Sequence, residues 1–121
     1  LEQDGGLYFN DGSLRLEIPD DQTSQLKPYI GNEVIFGIRP EDIHDEATAS
    51  TVASPAAGKT NVEVIEPMGN EVFVYLATQN SSFVARMPSR ESSVQKGARN
   101  IVIDMSKAHY FDPKTEETIL N

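Results

Sequence analysis

The chain has 121 residues, with 19 acidic and 10 basic side chains and a formal net charge of -9. This length suits one domain, and 38% hydrophobic with 24% charged residues is an ordinary globular composition. The acidity argues against nucleic acid as a partner, because phosphate-binding surfaces are usually basic. The lack of cysteine excludes a disulfide scaffold and thiolate chemistry, and no apolar run approaches the roughly 18 residues that span a bilayer.

The first half of the chain predicts short strands. The segment 14–18 alternates apolar and polar residues behind an Asp-Gly turn, which predicts a hairpin. A second alternating segment, Val34–Ile38, is followed by a proline that removes a ladder donor. Residues 20–30 also contain a proline and are too short for a confident helix.

The second half continues the same pattern. Strands are predicted at Val62–Val64, Phe83–Met87, Ile101–Met105 and Thr118–Leu120. The segment Val72–Ala77 is apolar on both faces, which predicts burial on each side or a subunit contact. About seven short strands without a long helix predict an all-β fold, preferably a small barrel, with a sandwich as the alternative.

The segment 44–59 is rich in small, hydroxyl and acidic residues and is predicted to be a linker-like excursion between the strand-rich regions 1–43 and 60–121. Glycines predicted to mark bends or bulges are Gly37, Gly69 and Gly97.

Two apparent motifs do not predict a catalytic or metal site. Residues Ala53–Thr60 fit a relaxed phosphate-loop pattern, but a strand pattern follows where a working loop requires a helix. The acidic run Glu41–Glu46 has neither the turn glycine nor the closing glutamate of a calcium loop. His109 has no recognisable triad partner, so we interpret it as structural.

Charge is distributed unevenly along the chain. Residues 1–60 carry 4 basic and 11 acidic side chains, net -7, whereas residues 61–121 carry 6 and 8, net -2. An acidic first half could meet a basic patch of a second copy, and a solvated surface is the alternative interpretation. The residues of that basic patch are Arg86, Arg90, Lys96 and Arg99.

Three segments combine turn formers with charged or aromatic residues: Gly37–Asp42, Glu63–Glu71 and Ala108–Pro113. The arginine in the first segment has a planar fork that can clamp a carboxylate. The simplest interpretation of each segment is a stapled turn.

In this order the three segments resemble the C-terminal regulatory region of ATP-binding subunits of bacterial sugar-type ABC importers, the maltose, multiple-sugar and glycerol-phosphate group. That family shows a Gly-Ile-Arg-Pro-Glu box, a Val-Glu-x-x-Glu-x-x-Gly-x-Glu box and a His-x-Phe-Asp box. Here the boxes are Gly37–Glu41, Val62–Glu71 and His109–Asp112. Met68 stands where relatives commonly have leucine.

The resemblance implies a transport-associated OB-type (TOBE) domain built as small OB-like barrels, with residues 1–121 forming a single regulatory domain of a longer subunit. ATP and magnesium would bind in a missing N-terminal ATPase domain, so no cofactor or catalysis is expected in this chain. The implied function is regulation and dimerisation. The alternative is a domain that senses a small ligand, a sugar or an oxyanion.

The partners implied by the resemblance are a second copy of the chain, the ATPase domain of the same subunit, permease subunits contacted indirectly and, in some cases, a regulatory protein. The implied location is cytoplasmic, on the inner face of the membrane. The residues expected to organise turns at the subunit contact or at a regulator surface are Arg39, Glu41, Glu66, Gly69, Asn70, Glu71, His109 and Phe111.

Overall fold

The computed structural model describes residues 1–3, 5–46, 55–88 and 95–120. Within these ranges the strands are β1 (Glu2–Gln3), β2 (Leu7–Asn10), β3 (Arg15–Glu17), β4 (Ile35–Gly37), β5 (Ile43–Asp45), β6 (Pro55–Met68), β7 (Glu71–Ala77), β8 (Ser82–Pro88), β9 (Gly97–Asp104), β10 (His109–Phe111) and β11 (Thr118–Leu120). The helical elements are α1 (Thr23–Leu26) and 3-10 turns at Asp20–Gln22, Lys27–Tyr29, Pro40–Asp42 and Met105–Lys107.

The strands form three antiparallel sheets. Two small sheets have the orders β1-β2-β3 and β11-β10-β4, and a five-stranded sheet has the order β5-β9-β6-β7-β8. The outer strands β5 and β8 of the large sheet also contact each other, so this sheet curls into a half-barrel. The prediction of an all-β, OB-like barrel fold is confirmed.

Strand β6 joins two parts of the large sheet. Its first part pairs with β9 over Pro55–Val62, and its second part pairs with β7 over Asn61–Met68. Between the two parts the register with β7 shifts, because Val62 pairs with Leu76 whereas Val64 pairs with Tyr75. Glu63 is therefore the extra residue of a β-bulge, which sharpens the local twist.

The bulge reverses the order of inward and outward side chains along β6. Val62 is buried, and simple alternation would bury Val64 as well. Instead Val64 is 48% exposed, while Ile65 packs against the core. Gly97, which has a φ of 116°, pairs with Val62 beside the bulge, and its predicted role at a bend or bulge agrees with this position.

The predicted linker-like excursion at 44–59 is wrong at both ends. Residues 43–45 form β5, and residues 55–59 form the start of β6. The small residues of β6 have a packing role, because the Leu14 side chain occupies the space into which a Cβ on Gly58 would project. The rest of the segment, 47–54, lies outside the described residues.

The phosphate-loop-like segment is also a strand where it is described. Residues 55–60 belong to β6, which continues to Met68 without a helix, as expected from the strand pattern that follows. Residues 53 and 54 lie outside the described part of the chain.

One hydrophobic cluster connects all three sheets. Leu16 of the first sheet, Tyr110 of the second and Val74 of the third are all fully buried within it. Leu26 of α1 is equally buried, so the single helical turn serves to cover the core.

The Asp11 carboxylate fastens the first sheet to the large sheet. Its Oδ1 accepts hydrogen bonds from the backbone N–H groups of Ser13 (2.9 Å) and Leu14 (2.6 Å), and its Oδ2 accepts one from the Ser81 hydroxyl. The Asn80 side chain donates to the Asp11 carbonyl oxygen at 2.9 Å. The β2–β3 turn is therefore joined to the β7–β8 turn by the side chains of Asp11 and Asn80.

Burial by itself would raise the pKa of the Asp11 carboxyl, but the hydrogen bonds from Ser81, Ser13 and Leu14 outweigh burial and lower the pKa below its ordinary value. A lowered pKa in the folded state stabilises the fold above the unfolded pKa of about 3.9, and this contribution is lost as the pH falls through the folded value.

We therefore predict that Asp11→Ala lowers the free energy of unfolding by about 1–2 kcal/mol at neutral pH, because the partly buried donors of Ser13, Leu14 and Ser81 lose their acceptor. The difference from the unsubstituted chain should shrink as the pH falls below the unfolded pKa of about 3.9. Urea denaturation measures both effects. Asp21→Ala, which removes an exposed carboxylate, is the control and should change stability little. Equal effects of the two substitutions would contradict the role given to Asp11.

Candidate functional site

The first and third boxes lie side by side in the sheet β11-β10-β4. Gly37 pairs with His109, and Ile35 pairs with Phe111. The Phe111 ring passes so close to Gly37 that a Cβ there would lie 3.2 Å from ring atom Cε2. The Phe111 ring therefore leaves little room for a side chain at position 37, which accounts for the glycine in the first box.

The opposite face of the same strands carries an aromatic stack toward the core. Phe36 stacks on Phe9 with ring centroids 4.9 Å apart, and it meets Tyr110 edge to face at 5.5 Å. The Tyr110 ring is fully buried, and burial strongly raises the pKa of its hydroxyl. Among the described residues that hydroxyl has no hydrogen-bond partner.

Asp112, which closes the third box, acts as a turn staple. Its Oδ1 accepts the backbone N–H groups of Lys114 at 2.8 Å and Thr115 at 3.3 Å, and its Oδ2 accepts the Tyr29 hydroxyl at 2.9 Å. These hydrogen bonds, first that from Lys114, lower the pKa of Asp112. The Asp112 carboxylate therefore holds the turn that follows β10 and links it to Tyr29.

The first and second boxes meet at Arg86, a residue of β8. Arg86 Nε lies 3.1 Å from Glu71 Oε2, and Nη2 lies 3.8 Å from Glu41 Oε1. The Nε contact is an ion pair without the alignment of a hydrogen bond. Arg86 was absent from the predicted site. The signal that could have found it is the β7–β8 hairpin, which makes Arg86 a diagonal neighbour of Glu71 on the same face.

The ion pairs at Arg86 contribute little to stability. The side chains of Arg86, Glu71 and Glu41 are between 39% and 45% exposed, and exposed pairs contribute about 0–1 kcal/mol. Arg99, in contrast, binds the buried Asp45 with two guanidinium nitrogens, Nε at 2.8 Å and Nη2 at 2.5 Å. Two cations of the predicted basic patch are thus paired within the chain, and Arg90 lies outside the described residues.

The other predicted site residues are exposed and lie apart. Arg39 is exposed, and in the described part of the chain its side chain makes no hydrogen bond or ion pair. Glu66 is exposed on β6. Gly69, with a φ of 72°, and Asn70 form the two-residue turn between β6 and β7, where a positive φ at the first position favours glycine. The eight predicted residues therefore form no single constellation.

An apolar patch lies on the outer face of the sheet β6–β7–β8. It consists of Val64, Met68, Phe73, Tyr75 and Val84, which share one face by register and are here called the outer apolar face. Val64 and Met68 are 48% and 53% exposed, and the other three are half-buried. Strand β7 is thus apolar on both faces as predicted, with one face in the core and one face outward.

The described residues contain no group of three or more potential metal ligands. Among the same residues, no helix is long and apolar enough to cross a membrane.

Comparison with known proteins identifies relatives over nearly the whole chain. Residues 1–43 match the family model described as MalK OB fold domain. The chain is 39% identical over 110 residues to the oligosaccharides import ATP-binding protein MsmX of Bacillus subtilis, covering 89% of this chain and 30% of that protein. It is also 39% identical over 123 residues to the trehalose/maltose import ATP-binding protein MalK of Thermococcus litoralis, covering 98% and 32%.

A third relative is the multiple sugar-binding transport ATP-binding protein MsmK of Streptococcus mutans, 31% identical over 119 residues, which are 97% of this chain and 31% of that protein. The chain thus spans about a third of the length of these relatives.

The curled antiparallel sheet and the family model together define an OB-fold domain. The chain is homologous to the ATP-binding subunits of sugar ABC importers, and it resembles their OB-fold domain rather than their catalytic ATPase domain.

We predict that Tyr110→Phe leaves the free energy of unfolding unchanged or raises it by up to about 1 kcal/mol, because it removes a buried hydroxyl without a described partner. Tyr29→Phe is the matched control. It removes the hydrogen bond to Asp112 and should lower the free energy by about 0.5–1.5 kcal/mol. Urea denaturation of both variants measures the two free energies of unfolding. A larger loss at Tyr110 than at Tyr29 would show that the buried hydroxyl is satisfied.

Proposed function

We propose that this chain is a non-catalytic regulatory and dimerisation domain of the ATP-binding subunit of an ABC importer for sugars or related solutes. Homology to such subunits supports the transport context. The observation that carries the dimerisation role is the outer apolar face, because large apolar side chains that remain exposed together mark interaction surfaces.

In this proposal the first partner is a second copy of the chain. Charged groups lie among the side chains of the outer apolar face. Glu66 sits between Val64 and Met68 on β6, and the Arg86–Glu71 pair lies on β8 and β7. Charged groups inside a contact fix its register and orientation. Pairing of two copies would hold two ATPase domains at a fixed separation.

The regulatory part of the proposal involves partners other than a second copy of the chain. The ATPase domain of the subunit, the permease subunits contacted through it and a regulatory protein are the further proposed partners, with the complex at the inner face of the membrane. A bound regulator shifts the balance of transporter states only by its differential affinity for them. Exposed residues such as Arg39 and Glu66 are available for such contacts.

The first test is sedimentation equilibrium of the chain over a range of concentrations, at low and high salt. We expect a dimer that is weakened at least tenfold by Val64→Lys or by Met68→Lys, because burying each apolar side chain contributes about 1.5–3 kcal/mol. Ile35→Lys is the control, since Ile35 is 46% exposed but lies in another sheet. A strict monomer, or equal effects of all three substitutions, contradicts dimerisation through this face.

The charged residues of the boxes give a second test. Glu71→Ala and Arg39→Ala are expected to weaken the dimer, while thermal melting stays nearly unchanged because their side chains are exposed. Glu33→Ala and Lys27→Ala, which also remove exposed charges, are the matched controls. Unchanged dimer dissociation constants in both box variants would show that Glu71 and Arg39 do not contribute to the subunit contact.

The second candidate function is the sensing of a small ligand. The observation that favours it is a cavity of about 390 Å³ where the three sheets meet, which lies within the usual range of ligand sites, about 300–1,000 Å³. None of its lining residues belongs to the outer apolar face, so the two functions can be tested independently.

A further inference from the structure

The cavity that favours ligand sensing draws its walls from every sheet of the molecule. Phe9 comes from the first sheet, Phe36 from the second, and Phe83 with Ile103 from the large sheet. A molecule bound here would contact all three sheets at once. Ligand binding would therefore stabilise their packing against one another.

The apolar part of the cavity is aromatic. Phe9 and Phe36 stack at an interplanar angle of 26°, and Phe83 lines the same space. Aromatic rings in a concave site favour a ligand that has a flat or ring-shaped apolar face.

The polar residues that line the cavity are Asp11, Ser81 and Ser82. Asp11 Oδ1 accepts three hydrogen bonds, two from Ser13 and one from Leu14. Within the described part of the chain Oδ2 accepts one, from the Ser81 hydroxyl, so it retains capacity for one further donor. The Ser82 side chain lies on the outer face of the sheet with Val84, because Ser82 pairs with Ala77.

Charge decides between the classes of ligand. The described residues that line the cavity include no lysine, arginine or histidine, so an anion would meet a carboxylate without a compensating cation. An oxyanion would therefore be repelled. A ligand that donates hydroxyl groups meets acceptors and suffers no such repulsion.

From these features we infer that the cavity is a binding site for an uncharged, hydroxylated ring compound, whose apolar face packs on Phe9, Phe36 and Phe83 and whose hydroxyl donates to Asp11 Oδ2. This site is separate from the proposed dimer contact. Its failure would leave the dimerisation proposal intact, because sedimentation tests that proposal alone.

The experiment is an NMR titration of the ¹⁵N-labelled chain with methyl β-D-glucopyranoside, a neutral ring with an apolar face and a hydroxylated rim. We expect saturable shifts at the amides of Gly37, Ser82 and Phe83, which line the cavity. The methyl glycoside of glucuronic acid differs by one carboxylate and should bind at least tenfold more weakly.

Two substitutions locate the site. Phe83→Leu removes one aromatic wall of the cavity and should weaken binding at least tenfold, while the partly buried position stays apolar. Tyr75→Leu is the matched control, because it removes an aromatic ring from the outer face of the neighbouring strand β7 and should bind as the unsubstituted chain does. The inference is overturned by binding of unchanged strength in Phe83→Leu, by an absence of cavity shifts, or by tighter binding of the glucuronide.

Discussion

The bulge at Glu63 is the constraint on which the rest of this molecule depends. Strand β6 has β9 as its neighbour in its first part and β7 in its second, and only Asn61 and Val62 pair on both sides. A 14-residue strand can change neighbours in this way only if it bends, and the extra residue supplies the bend. The curl that brings β5 against β8 and the outward turn of Val64 and Met68 have this common origin.

Strand pairing explains how the family boxes are arranged in the fold. The first and third boxes are distant in sequence but adjacent in β4 and β10, where Phe111 covers Gly37. The second box contains the bulge and the tight turn of the β6–β7 hairpin. Its Glu71 and the first box's Glu41 meet only through Arg86. Several residues that stand out in the sequence hold hairpins in register, and the outer apolar face lies on the same sheet as the second box.

Much of the fold could be predicted because most strands alternate cleanly, as β7 does when it buries Val72, Val74 and Leu76 on one face. The start of β6 could not be predicted, because Ala and Gly have low strand propensity. Residues 55–59 form a strand because β9 pairs with them and Leu14 packs against them. The candidate site was harder to predict. The proximity of Glu41 and Glu71 to Arg86 and the burial of Tyr110 arise from pairing between strands. The periodicity within one segment does not report such pairing.

The bulge also has an evolutionary consequence. Because Glu63 is the extra residue, deleting it would leave Val64 opposite Tyr75 and Ile65 opposite Val74, so the outer apolar face would keep its register. The deletion would instead remove the local bend at which β6 changes its neighbour from β9 to β7. A lineage that lost this one residue would thus keep the apolar face while flattening the curled sheet.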